Sequence, residues 1–349
     1  MIIENREINN NSSVFIIAEL SANHNGSIET AIKTIRAAKR AGADCIKLQT
    51  YTADTMTIAS DKDDFIIKGT IWENQNLHTL YQQAYTPWEW HAELMKVAKE
   101  EGLICFSSPF DKTAVDFLET LNVPAYKIAS FEITDIPLIE YVASKGKPII
   151  LSTGIAEQAD IELALDACRR MGNTDIALLK CTSSYPAPID EANMCMVKDL
   201  AERYNVISGL SDHTMGATVP IVATCFGAKI IEKHFILDRS IGGPDASFSM
   251  NEAEFTEMVK AVREAESAIG KVDYTLTEKQ MKGKDFSRSL YVVEYVKVGD
   301  IITEKNVRSI RPGFGIHPKY FTQIEGSTFN RDVEKGSRMN LEYVNNKKI

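Results

Sequence analysis

The sequence holds no long apolar run. None of its hydrophobic stretches approaches the roughly 20 uncharged residues that a membrane span needs, so no membrane role is expected. It also lacks a positive charge balance: 39 Lys and Arg against 48 Asp and Glu leave a formal −9. That excludes a broad nucleic-acid or anionic-membrane surface, but not a compact local anion site. Cysteine is sparse: six residues, at 45, 105, 168, 181, 195 and 225, with no CxxC pair. The expectation is buried, reduced thiols in a cytosolic protein rather than disulfides. There is no HExxH, so a closed structural zinc site is not expected, and no Gly-rich dinucleotide loop follows any strand-like run. The first residues, "MIIENREINNNSS", are polar and carry acids, unlike a signal peptide.

What is present is a regular alternation. Hydrophobic residues make up 44% and charged residues 25% of 349, an ordinary globular composition. Eight short apolar runs occur, at 14–20, 45–50, 104–108, 125–130, 148–153, 176–181, 206–212 and 229–235. They are rich in Ile and Val and bounded by polar turns, as buried parallel strands are. Amphipathic helical patterns lie between them. "SIETAIKTIRAAKRAGA" opens on a Ser N-cap and stops at Gly42, and "EQADIELALDACRRMG" stops at Gly172.

Eight such units predict a (β/α)8 TIM barrel within residues 1–270, with a doubly wound open sheet as the competing reading. One unit, 51–103, is too long for a single helix and is expected to carry a loop insertion over one end of the barrel. Residues 271–285 are polar and Lys-rich and read as a linker. Residues 286–349 read as a small β-rich module. In it, "YVKVGDIITEKNV" and "DVEKGSRMNLEYV" look like a weak internal duplication.

Active residues of such barrels sit at the C-terminal ends of the strands. Those ends are polar in every unit: Glu19, Asn23 and His24; Lys47 and Gln49; Ser107 and Ser108; Lys127, Ser130 and Glu132; Ser152 and Thr153; Cys181, Ser183 and Tyr185; Ser211, Asp212 and His213; His234. Lys47 and Lys127, with Ser108, Ser130, Ser152 and Ser211, make a phosphate or carboxylate cradle. Alternatively, each Lys pairs with a barrel carboxylate such as Glu19, Glu132 or Glu232. His213 and His234 fall on adjacent strands about 4.8 Å apart. They are either two ligands of one divalent metal or two structural imidazoles. "GGPDASFS" turns tightly and either aims Asp245 at the mouth or starts the last helix. Arg311, in "RPGFGIHP", either meets an anion or a sugar amide or is solvated.

Taken together, "AELSANHNG", "IKLQTY", "FSSPFD", "YKIASFEITD", "LSTGIA", "KCTSSYP", "GLSDHTMG", "IEKHF", "GGPDASFS" and "RSLY…RPGFG" resemble the sialic acid synthase family, the phosphoenolpyruvate-dependent nonulosonate synthases. The resemblance covers nearly the whole chain, in order. It implies a TIM barrel followed by an antifreeze-like (SAF) domain, in a domain-swapped homodimer. It implies a divalent metal, Mn2+ or Mg2+, on His213 and His234. It implies phosphoenolpyruvate on Lys47, Ser108, Lys127, Ser130, Ser152, Ser183 and Ser211. The amino sugar would lie on Gln49, Tyr185, Asp245 and a partner copy's residue equivalent to Arg311. Glu19, Glu132 and Lys127 would serve catalysis. The sialate branch carries Asn where this chain has Ser183, and "RPGNG" where it has "RPGFG". The stretches "DFIIKGTIWENQNLHTLYQQAYTPWEWH" and "RPGFGIHPKY" carry a closer resemblance to the branch whose sugar is 2,4-diacetamido-2,4,6-trideoxy-altrose, with N-acetylmannosamine or the legionaminate-pathway hexose as alternatives.

Overall fold

The computed structural model describes residues 1–345; the last four residues of the module expected over 286–349 lie outside the described residues. The chain divides into two compact units, Met1–Gly270 and Lys271–Ile349.

The first unit opens with a hairpin, β1 (Ile2–Ile3) and β2 (Arg6–Glu7). The strands β3 (Phe15–Glu19), β4 (Cys45–Thr50), β5 (Ile104–Pro109), β6 (Tyr126–Ile128), β7 (Ile149–Ser152), β8 (Ile176–Cys181), β9 (Ile207–Asp212) and β10 (Ile230–His234) follow. They pair in chain order, all parallel, and β10 closes back onto β3. All eight expected strands are present, and the sheet is a closed barrel rather than an open one. The connecting helices are α1 (Ile28–Arg40), α2 (Ala53–Met56), α3 (Leu77–Ala84), α4 (His91–Glu100), α5 (Lys112–Thr120), α6 (Ile136–Ala143), α7 (Gln158–Arg170), α8 (Cys195–Tyr204), α9 (Thr218–Cys225) and α10 (Glu252–Ile269). Their boundaries follow local chemistry. Ser27 accepts from Thr30 N–H to start α1, Glu157 and Asp160 form a capping box on α7, and Asn251 and Glu254 form one on α10.

The strand period of two divides each strand between two cores. Val14, Ile16, Ala18, Ile46, Leu48, Leu210 and Ile231 face the helices. Phe15, Ile17, Cys45, Phe106, Ala125, Ile150, Ala177, Leu179 and Ile230 fill the barrel interior, where the hairpin adds Ile3 and Ile8. Gly209 is required by close approach: a Cβ there would stand 2.3 Å from the Ile230 carbonyl oxygen and 2.7 Å from Leu179.

The long second unit of the barrel carries the expected insertion. α2, a loop and α3 precede α4, the helix that returns the chain to β5. Ile67 N–H donates to Gln75 O and Asn74 N–H to Ile67 O, so the loop folds back on itself. Asn76 caps α3 and also donates to Ser60 O at 2.7 Å.

In the second unit, the expected linker holds a helix, α11 (Glu278–Gly283), started by a Thr277/Gln280 capping box. The "TEKQ" pattern is the signal that a reading of polarity alone passed over. Beyond it are β11 (Ser289–Val292), β12 (Val307–Ile310), α12 (Phe321–Ile324), β13 (Thr328–Phe329) and β14 (Val344–Asn345) around a core of Leu290, Val292, Ile302, Val307, Phe329 and Met339. The duplication is visible in space. Val296 and Val333, equivalent in the two repeats, exchange both backbone hydrogen bonds at 3.0 and 2.9 Å. The glycines three residues on, Gly299 and Gly336, have φ of 91° and 88°.

Candidate active site

The apolar interior gives way to polar side chains at the C-terminal end of the barrel. A cavity of about 350 Å³ opens there, in the size range of small-ligand sites. Its lining includes Lys47, Gln49, Lys127, Ser130, Glu132, Ser152, Tyr185, Ser211, His213, His234 and Asp245. The same alternation that puts Phe15, Ile17 and Glu19 on one face of β3 carries each inward row from apolar to polar.

Lys47 is buried between two carboxylates, 2.5 Å from Glu19 Oε2 and 2.7 Å from Glu232 Oε1. Lys127 lies 3.7 Å from the same Glu232 oxygen. Glu232 is thus the common partner of both cations. Sequence reading had it only as a possible counter-ion, and its inward alternation with His234 was the available signal. Burial, together with the charge of Lys127, lowers the Lys47 ammonium to about 8 against the pull of Glu232. Both readings of the lysines hold in one geometry: they are paired, and they stand at the cavity wall.

The hydroxyls of Ser108 and Ser152 are buried without hydrogen-bond partners, and so are the Oε2 atoms of Glu132 and Glu232. Buried polar atoms are normally satisfied, so a cluster of orphans beside two lysines marks a place made for a polar ligand. Ser130 accepts from Gly154 N–H at 3.2 Å. A side chain at Gly154 would collide with both Ser130 and Ser183, which explains the glycine and places Ser183 next to Ser130. Ser211 donates to Glu232 Oε1 at 3.4 Å. Ser108, Ser183 and Glu19 sit behind the cavity surface rather than on it.

The two candidate bases differ. Glu19 is committed: it takes the Ser21 N–H at 2.8 Å and the Lys47 ammonium. Glu132 has no ion-pair partner within reach of its buried oxygen, and burial, only partly offset by Lys127, raises it to about 7.

His213 and His234 face each other with ring centroids 5.3 Å apart. The Thr182 carbonyl lies 2.9 Å from His213 Nδ1. A carbonyl can only accept, so Nδ1 carries the proton and Nε2 is left as the lone-pair nitrogen. His234 Nδ1 is buried without a hydrogen bond, and burial and the neighbouring cations keep this imidazole neutral, far below its usual value. His213 goes the other way: against the effect of burial, Cys181, the Thr182 carbonyl and Asp212 raise it. A neutral His234 beside a His213 whose Nε2 is open once its proton leaves fits a divalent first-row metal. Among the described residues no group of three or more His, Cys, Asp or Glu side chains is arranged to hold one alone, so the remaining positions would fall to water or substrate oxygens.

Asp245 lies at the mouth, 3.9 Å from His234 Nδ1 and hydrogen-bonded to Ser21, whose hydroxyl also receives Gln49 Nε2. It does not start α10, which Asn251 caps. The Tyr185 ring lies tilted by 45° against His213, with centroids 4.4 Å apart. Asp212 points the other way. It pairs at 2.5 Å with Lys233 in the helix-facing layer, and Lys233 also donates to Thr214 O. This pair joins β9 and β10 one residue before each histidine. Asn23 and His24 also leave the site: Asn23 ties Phe235 O to Ser249, and His24 meets Thr86. Thr153 binds Leu179 O and Ser107 binds Thr50, so both serve the barrel wall. Arg311 is exposed and belongs to the second unit. Trp72 was not anticipated: it reaches the site from the insertion, donating to Pro244 O at 2.9 Å.

Comparison with known proteins agrees with this layout. The NeuB family model matches residues 34–274, and the SAF domain matches 287–337. A pseudaminic acid synthase of Campylobacter jejuni strain 81-176 is 48% identical over 331 residues, 95% of this chain and 96% of that protein. One from Helicobacter pylori strain 26695 is 46% identical, covering 94% and 97%. The crystal structure of a sialic acid synthetase from Leptospira borgpetersenii in complex with citrate superposes with a TM-score of 0.73 at 29% identity, covering 81% of this chain and 94% of that one. The chain belongs to the NeuB family of phosphoenolpyruvate-dependent nonulosonate synthases, with a TIM barrel followed by a SAF domain.

Proposed function

We propose that the protein condenses phosphoenolpyruvate with 2,4-diacetamido-2,4,6-trideoxy-β-L-altropyranose to give pseudaminic acid and phosphate. The observation that carries this reading is the near full-length match, at 46–48% identity, to pseudaminic acid synthases.

Lys47 and Lys127 hold the phosphate and carboxylate, with Ser130, Ser152 and Ser211 supplying hydroxyl donors from the cavity wall and Ser108 and Ser183 backing them; the orphaned Ser152 hydroxyl supports this. An anion arriving between the lysines takes over charge that Glu19 and Glu232 balance in the free site. Gln49, Tyr185 and Asp245 orient the open-chain sugar so that its aldehyde carbon meets C3 of the enol. His213 and His234 would hold Mn2+ or Mg2+, and that metal supplies Lewis-acid polarisation of the aldehyde. The C3–C1 bond forms from the enol π pair while the aldehyde π pair moves onto its own oxygen, which takes up a proton to become a hydroxyl. Water then adds at C2, and phosphate leaves by C–O cleavage. Glu132, raised to about 7, accepts the proton of that water, because it is half-ionised near neutrality and has no ion pair to break. Glu19 stays anionic and positions Lys47.

In this reading the reaction takes place in the cytoplasm, and the working unit is a domain-swapped homodimer in which Arg311 of one copy meets the sugar in the other. Mixed Lys47→Ala and Arg311→Ala chains then regain activity as heterodimers; no recovery contradicts the sharing. Phosphate release with the trideoxy altrose, its legionaminate-pathway counterpart and N-acetylmannosamine tests the substrate. The altrose is expected to be turned over fastest, and a preference for N-acetylmannosamine contradicts the assignment.

A further inference from the structure

We propose that the insertion between β4 and α4 is the sugar selector: its apolar wall receives the C6 methyl and acetamido methyl groups of a 6-deoxy, twice N-acetylated hexose and rejects hexoses that place a hydroxyl there. This rests on the reaction proposed above.

The cavity has two sources of lining, and they differ in chemistry. The barrel strands contribute Lys47, Lys127, Ser152, Ser211 and Glu232, all charged or hydroxylic. The insertion contributes mostly apolar groups, Met56, Ile67, Trp72, Leu77 and Leu80, with the hydroxyls of Thr70 and Tyr81 as the polar exceptions. Phosphoenolpyruvate has no methyl group and matches the first set. Nothing in its structure needs the second. The trideoxy sugar carries three methyl groups, one at C6 and one on each acetamide, and these are what an apolar wall can bury.

The wall is built before substrate arrives. Its loop is closed by the Ile67–Gln75 backbone bond, and Asn76 ties its base to Ser60 O. Trp72 is fixed by its bond to Pro244 O, and its ring lies 5.7 Å from Tyr185 and 6.5 Å from Phe248. Tyr185 in turn touches His213. The wall therefore continues directly into the place where the aldehyde end of the sugar reacts. A hydroxyl pressed against the aliphatic part of this surface, away from Thr70 and Tyr81, would lose its water without gaining a partner. A hydrophobic pocket distinguishes one carbon group by about 10–200-fold.

The test is internal competition between the trideoxy altrose and the same sugar bearing a C6 hydroxyl, with the product ratio read by mass spectrometry. Wild type is expected to favour the 6-deoxy sugar about 10–200-fold. Trp72→Ala and Ile67→Asn, both on the insertion and outside the β/α frame, should bring the ratio to within about threefold. Their KM for phosphoenolpyruvate should stay near wild type, which shows that the barrel site is intact. A wild-type ratio under about threefold, or variants that keep the wild-type ratio, overturns the selector. If neither sugar is a substrate while N-acetylmannosamine is, it is the reaction assignment that fails instead.

Discussion

The two halves of the barrel interior are built from the same strands and obey opposite rules. Below, Phe15, Ile17, Phe106, Ile150 and Leu179 close around the hairpin residues Ile3 and Ile8 with nothing polar to satisfy. Above, two residues further along each strand, Glu19, Lys47, Lys127, Ser152 and Glu232 are equally buried, and the Ser152 hydroxyl and Glu232 Oε2 have no hydrogen-bond partner. The lower half stabilises the fold by burying apolar surface. The upper half holds charges out of water and leaves hydroxyls unbonded, which costs stability and is compensated only when a polar ligand binds. Stability and chemistry are thus separated along the barrel axis, not between different elements.

The separation can be broken from either side. The largest effect is expected above. Lys47→Met should lower kcat/KM by about 100- to 1,000-fold, as loss of a preorganised electrostatic group does. Unpairing Glu19 and Glu232 should also cost roughly 3–5 kcal/mol of stability. Adding Glu232→Gln should restore much of the melting temperature and none of the activity. Recovery of both would show that Lys47 is a structural cation. Below, Phe106→Ala should cost about 3–5 kcal/mol through the cavity it leaves. At a temperature where the variant is folded, its KM for phosphoenolpyruvate should match wild type. A changed KM would show that the two halves are coupled.

Glu132 gives a sharper comparison, because there function and stability oppose each other. Its folded value near 7 stands above the usual 4.5. The folded state therefore prefers the protonated form. The penalty is absent well below pH 4.5, grows as pH rises from 4.5 to 7, and is constant above. Glu132→Gln should accordingly be more stable than wild type at pH 8 by roughly 1–3 kcal/mol, and equal to it at pH 4. It should also lose the acid limb of kcat/KM near pH 7. A variant less stable at pH 8 contradicts the unpaired carboxylate.

The smallest effect is expected behind the wall. Asp212→Asn weakens the pair with Lys233 that sets β9 against β10. If His213 and His234 hold the metal as proposed, the divalent-metal concentration for half-maximal activity should rise about tenfold, the low end for groups that orient ligands, with KM for phosphoenolpyruvate unchanged. An unaltered metal dependence would limit Asp212 to the fold.

The frame was legible in the sequence because each strand is a short apolar run between polar turns, and eight of them in a row have few ways to close. The polar ends were legible for the same reason: Ser152 closes the run Ile149–Leu151, and Glu232, Lys233 and His234 follow Ile230 and Ile231. What was not legible depends on register and on distance. In "IIEKHF" alternation puts Glu232 and His234 on one face and Lys233 on the other, but only the register with β9, Lys233 opposite Asp212, shows which partner each meets. Asn23 and His24 look like mouth residues, but the chain has already left the strand and uses them to hold Phe235 and Thr86. Trp72 joins the site through Pro244, 172 residues away, and no local pattern predicts such a contact.

The most direct measurement follows the bridging oxygen of phosphoenolpyruvate. With 18O between C2 and phosphorus, water addition at C2 beside Glu132 and C–O cleavage between the two lysines predict that the released phosphate carries the label. Label retained in the sugar product would mean attack at phosphorus, and would contradict the chemistry assigned to the upper half of the barrel.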